Sequence, residues 1–263
     1  NTLFYMKPYF YIKKEGVFYM KVFSVFGVSS SGKTTTIENI IKELKRREFS
    51  VGIIKEVNSD ASVSESGGSN TYDYRDIGSE LVATRGCHGT DILFTEKLSV
   101  ENMLRFFNQD YVVMEGIIDT ETPKILCIDE TGELPEEIDD TVFAISGIIS
   151  KIKEYKGIPI INVVDDVKTL VDLIQEKVFE KLPGINCGKC GGDCRQMAAD
   201  ILKGNATRKD CKVTQESVEV YIDNKPMPLI PFVKDIVESV VKGVLSPLKG
   251  YKDGDITIKV RKR

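Results

Sequence analysis

The sequence predicts an α/β chain built on a doubly wound, mostly parallel sheet, with a small cysteine-rich module and a C-terminal β-hairpin, helix and strand appended. Three observations carry this. Short β-rich apolar runs alternate with amphipathic helical stretches through the first two-thirds of the chain. A glycine-rich loop joins the first strand to the first helix. Four of the six cysteines fall between residues 187 and 211.

The elements follow in order. "KVFSVFG" (21–27) is an apolar strand ending in Gly. "KTTTIENIIKELKRREF" (33–49) has helical spacing, with Ile37, Ile40, Ile41 and Leu44 on one face. "SVGIIKEV" (50–57) is a second strand, and the β–loop–α–β order requires a right-handed crossover and parallel pairing. Residues 58–72 are polar and Ser/Gly-rich, too long for a plain connection and so expected to be functional or mobile. A helix is expected from Asp73 to Ala83, a strand at 91–96, and a helix at 99–109 with Ser99 as N-cap. "YVVMEG" (111–116) reads as a buried strand; "PKILCID", "TVFAIS" and "IPIINVV" read as further strands, and 165–182 as an amphipathic helix.

After Pro183 the pattern changes. Gly and Cys dominate to residue 211, with a helix expected from Arg195 to Lys203. A hairpin follows at 217–230 with Asp223 and Asn224 at its turn, then a helix opened by Pro231 and a last strand at 255–260. The expected domains are an N-terminal extension (1–19), a nucleotide-binding domain (20–182), a four-cysteine domain (183–213) and a ββαβ module (214–263). There is no internal repeat.

The composition is that of a globular protein: 263 residues, 41% hydrophobic, 29% charged, formal net charge −4. That balance argues against general nucleic-acid binding. No apolar run approaches the roughly 18 residues that span a bilayer. The chain opens without Met, and its aromatic first residues make a poor signal peptide. They read as an upstream extension ahead of a natural start at Met20, with an aromatic arm packed on the domain as the alternative. Clustered cysteines without a secretion signal point to a cytoplasmic metal site rather than a disulfide framework.

Gly27-Val28-Ser29-Ser30-Ser31-Gly32-Lys33-Thr34 fits the phosphate-loop pattern G-x-x-x-x-G-K-[ST], between a strand and a helix as that motif requires. Its backbone N–H groups, with Thr35 just beyond, would hold nucleotide phosphates at the positive helix end. Lys33 would reach the β- and γ-phosphates, and the Thr34 hydroxyl would ligate Mg²⁺. Such a site needs a second acid at a neighbouring strand end, and Glu115 supplies it. Asp60 and Asp73 are weaker candidates. Asn162 to Asp165 match the guanine-reading N-K-x-D element little better than chance.

The stretch "VFGVSSSGKTTTIENIIKELKRREFSVGIIKE" resembles the molybdopterin-guanine dinucleotide biosynthesis protein B (MobB) family. "NTYDYRDIGSELVATRG", with Thr71, Arg75 and Gly78, is similar to that family's stretch after a mobile loop. "MEGIIDTETPKI", with Glu115, Gly116, Pro123 and Lys124, is similar to its V-E-G followed by P-K-I. The resemblance spans roughly residues 20–175 and implies a P-loop NTPase fold and nucleotide binding.

Cys187, Cys190, Cys194 and Cys211 offer four thiolates, and Gly188, Gly191 and Gly192 let the backbone curl so that three sulfurs converge. The surrounding segment resembles the small [4Fe–4S] domain of corrinoid iron–sulfur proteins and of Rnf-complex B subunits. Structural zinc is the main alternative, and two disulfides a third. Cys87 and His88 read as a loop or core pair rather than a site. Cys127, in an apolar strand, is expected to be buried and inert.

The expected function is a GTP- or ATP-binding accessory protein with Mg²⁺, possible slow hydrolysis and a [4Fe–4S] cluster, serving a partner protein in metallocofactor assembly. The alternatives are an iron–sulfur electron-transfer or redox-scaffold protein with a nucleotide switch, and an interaction module held by zinc. A homodimer across the nucleotide is the default by analogy.

Overall fold

The structure is a computed structural model. It describes residues 20–57, 74, 77–94, 96–129, 132–147, 152–214, 218, 220–222, 225–227, 229, 231–252, 256–258 and 260. The extension at 1–19, the polar segment at 58–73 and Arg75 lie outside the described residues. The chain divides into two units, Asn1–Lys181 and Leu182–Arg263.

In the first unit, β1 (Lys21–Gly27) buries Val22, Phe23, Ser24 and Val25 in succession, the pattern of a strand covered on both faces. Strands β2 (Val51–Lys55), β5 (Tyr111–Glu115), β6 (Lys124–Ile128) and β7 (Val142–Gly147) join it in a five-stranded sheet of order β2-β5-β1-β6-β7. Every pairing is parallel. This is the P-loop NTPase α/β fold, and it brings the C-terminal ends of β2, β5 and β1 to one edge. One core cluster joins Met20, Val22, Ile54, Leu104, Val112, Met114 and Ile117; another joins Leu126, Ile128, Val142, Ile145 and Ile160.

Helix α1 (Lys33–Arg46) buries Ile37, Ile40 and Leu44 and packs beside α3 (Val163–Lys177), which buries Leu170, Val171 and Ile174. A charged clamp fixes the pair. Glu43 on α1 accepts from Arg46 (2.7 Å) and Arg47 (2.8 Å), and Arg47 reaches across to Asp172 (2.5 Å), Gln175 and the Lys168 carbonyl (3.2 Å). Hydrogen bonds from the two guanidinium groups hold the buried Glu43 carboxyl down to about 2.

The connection from β5 to β6 is short for a parallel crossover, and buried polar groups close it. The wholly buried Ser24 hydroxyl on β1 bonds the carbonyls of Met114 (3.3 Å) and Ile117. Lys124, the first residue of β6, is fully buried. Its ammonium donates to the Thr120 carbonyl (2.8 Å), the Thr122 carbonyl (3.3 Å) and Thr141 Oγ1 (2.7 Å), with Asp139 at 3.6 Å. This cation ties the crossover to the start of β7.

Several elements differ from the sequence expectations. Leu81–Ala83 are not helical. They belong to β3 (Leu81–Arg85), which pairs antiparallel with β4 (Thr90–Phe94) in a separate ribbon outside the main sheet. Only Val82 of β3 is buried, so the strand leaves little apolar pattern to read. Helix α2 (Val100–Leu104) begins at the expected cap, with Asn102 N–H donating to Ser99 Oγ at 3.2 Å, but stops after five residues.

The "IPIINVV" strand is mostly not one. Ile158–Pro159 form β9 against β8 (Glu154–Tyr155), and Ile160 makes a single parallel bridge to Ile145. Asn162 then caps α3 through Val164 N–H (3.0 Å), starting the helix two residues early. That helix ends at Lys177 because Val178 turns extended, so residues 178–182 are not helical as expected.

In the second unit, α4 (Cys194–Lys203) is followed by two short 3₁₀ turns, Arg208–Asp210 and Lys212–Thr214. The hairpin of β10 (Val220–Ile222) and β11 (Lys225–Met227) is present, and its expected turn residues Asp223 and Asn224 lie outside the described residues. Helix α5 (Pro231–Leu245) follows. The last strand is absent from the described part of 255–260: residues 256–258 and 260 are not in strand. Among the described residues no helix is long and apolar enough to cross a membrane.

Two predictions follow from these buried charges. Lys124→Met removes the ammonium that the Thr120 and Thr122 carbonyls and Thr141 Oγ1 accept from; a loss of about 3 kcal/mol is expected in denaturant unfolding. Glu43 titrates lower folded than its ordinary value of 4.5, so its stabilisation is complete above that pH. It is lost as pH falls toward about 2. Glu43→Gln should be less stable at pH 7 and show a shallower decline in acid unfolding over that window.

Candidate functional site

The loop between β1 and α1 is clamped onto the ends of β6 and β7. Gly27 has φ 154°, and a Cβ there would lie 2.1 Å from the Cys127 carbonyl oxygen and 2.7 Å from Ser31 Oγ. Gly147, at the end of β7, has φ 116°; a Cβ there would lie 2.2 Å from the Ile128 carbonyl oxygen and 2.8 Å from that of Ser31. No side chain fits at either position. Ser31 is wholly buried, and its hydroxyl has no hydrogen-bond partner among the described residues.

Gly32 is the N-cap of α1 in a left-handed conformation and supplies no side-chain cap. The first-turn N–H groups of α1 are therefore left for an anion, at the positive end of the helix. Val28, Ser29, Ser30 and Thr35 are exposed around them. Lys33 folds back, its ammonium donating to the carbonyls of Gly27 (3.0 Å) and Val28 (2.5 Å).

The register of the sheet brings the acid to the loop. Val25 lies opposite Glu115, the last residue of β5, and Lys55, the last residue of β2, lies opposite it on the other side. Thr34 Oγ1 donates to Glu115 Oε1 at 3.3 Å, and the Lys55 ammonium meets the same oxygen at 3.2 Å. Thr34 and Glu115 thus present two hard oxygens to one spot, the donor type Mg²⁺ takes. Lys55 escaped the sequence reading. Its signal was its place at a strand end, and its partner is visible only once β2 and β5 are paired.

Cys127 lies beneath this loop. It is buried, its Sγ is 3.6 Å from Thr36 Oγ1, and burial pushes its thiol up to about 11. It stays protonated at neutral pH, in line with the inert role expected. Cys87 and His88 sit exposed in the β3–β4 turn, closed by Gly86 N–H to the Gly89 carbonyl at 2.9 Å. Asp60 and Asp73 lie outside the described residues.

The other four cysteines are in the second unit, none of them disulfide-bonded. Cys187 and Cys190 are half-buried in a turn where Gly188 and Gly191 have φ 72° and 95°. Cys194 opens α4 and is buried; its N–H donates to Asn186 Oδ1 (2.9 Å), and Asp193 caps the helix through Gln196 N–H (2.7 Å). Cys211, also buried, follows a turn fixed by a Thr207–Asp210 capping box. Four thiols suit a thiophilic metal group. The expected convergence of three sulfurs is not reached: among the described residues no three Cys, His, Asp or Glu side chains are gathered into a metal-holding group. Across the turn at 187–194, the bond from Cys194 N–H to Asn186 Oδ1 ties the neighbour of Cys187 to the start of α4.

Two family models match the chain. That of "Molybdopterin guanine dinucleotide synthesis protein B" covers residues 22–148, and that of "Putative Fe-S cluster" covers residues 182–213. A protein of Methanocaldococcus jannaschii, named "Putative molybdopterin-guanine dinucleotide biosynthesis adapter protein", is 32% identical over 249 residues. The match covers 92% of this chain and 97% of that one. Among solved structures, Bacillus subtilis MobB is 20% identical, with a TM-score of 0.46, over 62% of this chain and 100% of its own. A MobB homologue from Bacillus stearothermophilus is 18% identical, with a TM-score of 0.42, over 60% of this chain and 97% of its own. Identity to the archaeal relative runs through both units, and the chain belongs to the MobB family of molybdopterin-guanine dinucleotide biosynthesis adapters.

Proposed function

We propose that this chain is a nucleotide-dependent adapter in molybdopterin cofactor biosynthesis. It takes GTP or ATP with Mg²⁺ on the loop Gly27–Thr34 and carries a [4Fe–4S] cluster on Cys187, Cys190, Cys194 and Cys211. The observation that carries the nucleotide reading is the clamped loop, with Lys33 beside it and Thr34 hydrogen-bonded to Glu115. A phosphate chain would sit on the uncapped first turn of α1. Lys33 would exchange the Gly27 and Val28 carbonyls for phosphate oxygens, a charge-assisted bond in place of neutral ones. Mg²⁺, held near Thr34 and Glu115, would neutralise charge on the phosphates. Glu115 would orient metal-bound or attacking water, which suits slow turnover. The partner is a client protein in metallocofactor assembly, in keeping with the word adapter in the archaeal relative's name.

The cluster reading rests on the donor set and on the family model at residues 182–213. Four thiolates are the ligand set of a cubane cluster, which would supply one-electron redox chemistry when bound. The chain's own contribution is the pair of left-handed glycines between Cys187 and Cys194 and the buried placement of Cys194 and Cys211.

Lys33→Ala should weaken GTP and ATP binding by about a hundredfold in calorimetric titration while thermal unfolding is unchanged. Glu115→Gln should lower hydrolysis more than affinity. Equal affinity in Lys33→Ala and its parent would defeat the nucleotide reading. Protein purified without oxygen should be brown, with about four irons per chain. Cys190→Ser or Cys211→Ser should bleach it and Cys127→Ser should not. A colourless preparation holding one zinc would replace the cluster with a structural metal.

A further inference from the structure

Glu115 is almost enclosed, with 11% of its side chain exposed, and one of its oxygens serves two donors. Thr34 supplies a neutral hydroxyl and Lys55 the charge. Lys33, the cation that the loop motif would place near the phosphates, points instead at the Gly27 and Val28 carbonyls. The carboxylate beside the loop is therefore balanced by a residue from a different strand. Lys55 can also leave cheaply. Its side chain is 54% exposed, and an ion pair that open to water is weak. Its backbone need not follow, because the β2–β5 pairing continues past it with Glu56 N–H on the Glu115 carbonyl at 2.9 Å. Glu56 is already engaged by Lys97 at 2.6 Å.

We infer that Lys55 is a tethered cation that occupies the electrostatic place of Mg²⁺ in the nucleotide-free site and is expelled when the metal binds. This rests on the reading of Gly27–Thr34 as a nucleotide site and adds a regulatory residue to it. The physics is competition for one carboxylate. A divalent ion placed beside Thr34 Oγ1 and Glu115 competes with the ammonium for the same carboxylate oxygen, and the ammonium, being mobile and half in water, is the one to move. Mg²⁺ binding then works against the Lys55–Glu115 pair, so the pair raises the Mg²⁺ concentration at which nucleotide binding is enhanced. Between ligands, it keeps a nearly enclosed carboxylate neutralised. Lys55 is a positioning and regulatory residue, acting through Glu115.

The test is the half-saturating Mg²⁺ concentration for GTP binding, measured on the full chain by titrating Mg²⁺ at fixed GTP. Lys55→Met should lower that midpoint by about fivefold, the size expected for a half-exposed charge pair. Lys55→Arg, which restores the charge, should return it toward the parent's value. Lys55→Gln serves as a second neutral variant should Lys55→Met fold poorly by thermal unfolding. A midpoint unchanged in the neutral variants overturns the inference. So does a raised midpoint, which would make Lys55 a helper of the metal–nucleotide complex. Failure of the parent itself to bind GTP, with or without Mg²⁺, removes the nucleotide reading and this inference with it; that outcome is read without any Lys55 variant.

Discussion

The parallel register that sets Val25 and Lys55 against Glu115, and Gly27 against Cys127, decides everything at the nucleotide edge of the sheet. Three strands far apart in sequence end at one level. Side chains at those ends then meet without needing long loops to aim them. The clamp on the loop depends on the same register. Gly27 rests on the Cys127 carbonyl and Gly147 on the carbonyls of Ile128 and Ser31, so the loop is held by backbone contact from two strand ends. A site fixed in this way is rigid at its base and free at its rim, where Val28 to Ser30 remain exposed.

The first unit also shows how buried charge substitutes for connection length. The β5–β6 crossover is too short to pack an intervening helix. Its backbone carbonyls instead converge on the Lys124 ammonium and the Ser24 hydroxyl. A buried lysine is costly unless its donors are used, and here three are, with Asp139 close by. The Pro123–Lys124 pair that marks the family in sequence therefore has a structural explanation: the proline brings the chain into β6 without a donor N–H, and the lysine closes the loop behind it.

Legibility in the sequence tracks how local each feature is. The strands of the main sheet were readable because their apolar runs are continuous, the mark of burial on both faces. The loop was readable because its spacing and flanking elements lie within one stretch of chain. The β3–β4 ribbon was half readable: β4 falls on the strand expected at 91–96, whereas β3, with Val82 its single buried residue, overlaps the expected helix. The end of the "IPIINVV" run failed for another reason. Asn162 is a strong N-cap, and its bond to Val164 N–H outcompeted the β preference of Ile161, Val163 and Val164. Lys55 and the clamp at Gly147 were invisible because each is defined by a partner that only the sheet order supplies.

The two candidate sites ask for opposite chemistry, and the two units meet that demand by different means. Thr34 and Glu115 offer hard oxygens on a rigid sheet edge, where geometry is fixed by register and a small divalent ion needs it fixed. The four thiols offer soft ligands on a segment held by local devices: the Asp193 cap, the Asn186 contact to Cys194 N–H, and the Thr207–Asp210 box. The Asn186 contact ties the residue next to Cys187 to the Cys194 backbone across the turn that holds Cys190. A metal group held by these thiols would add cross-links between residues 187 and 211 to those hydrogen bonds, so its binding would be coupled to the stability of the segment.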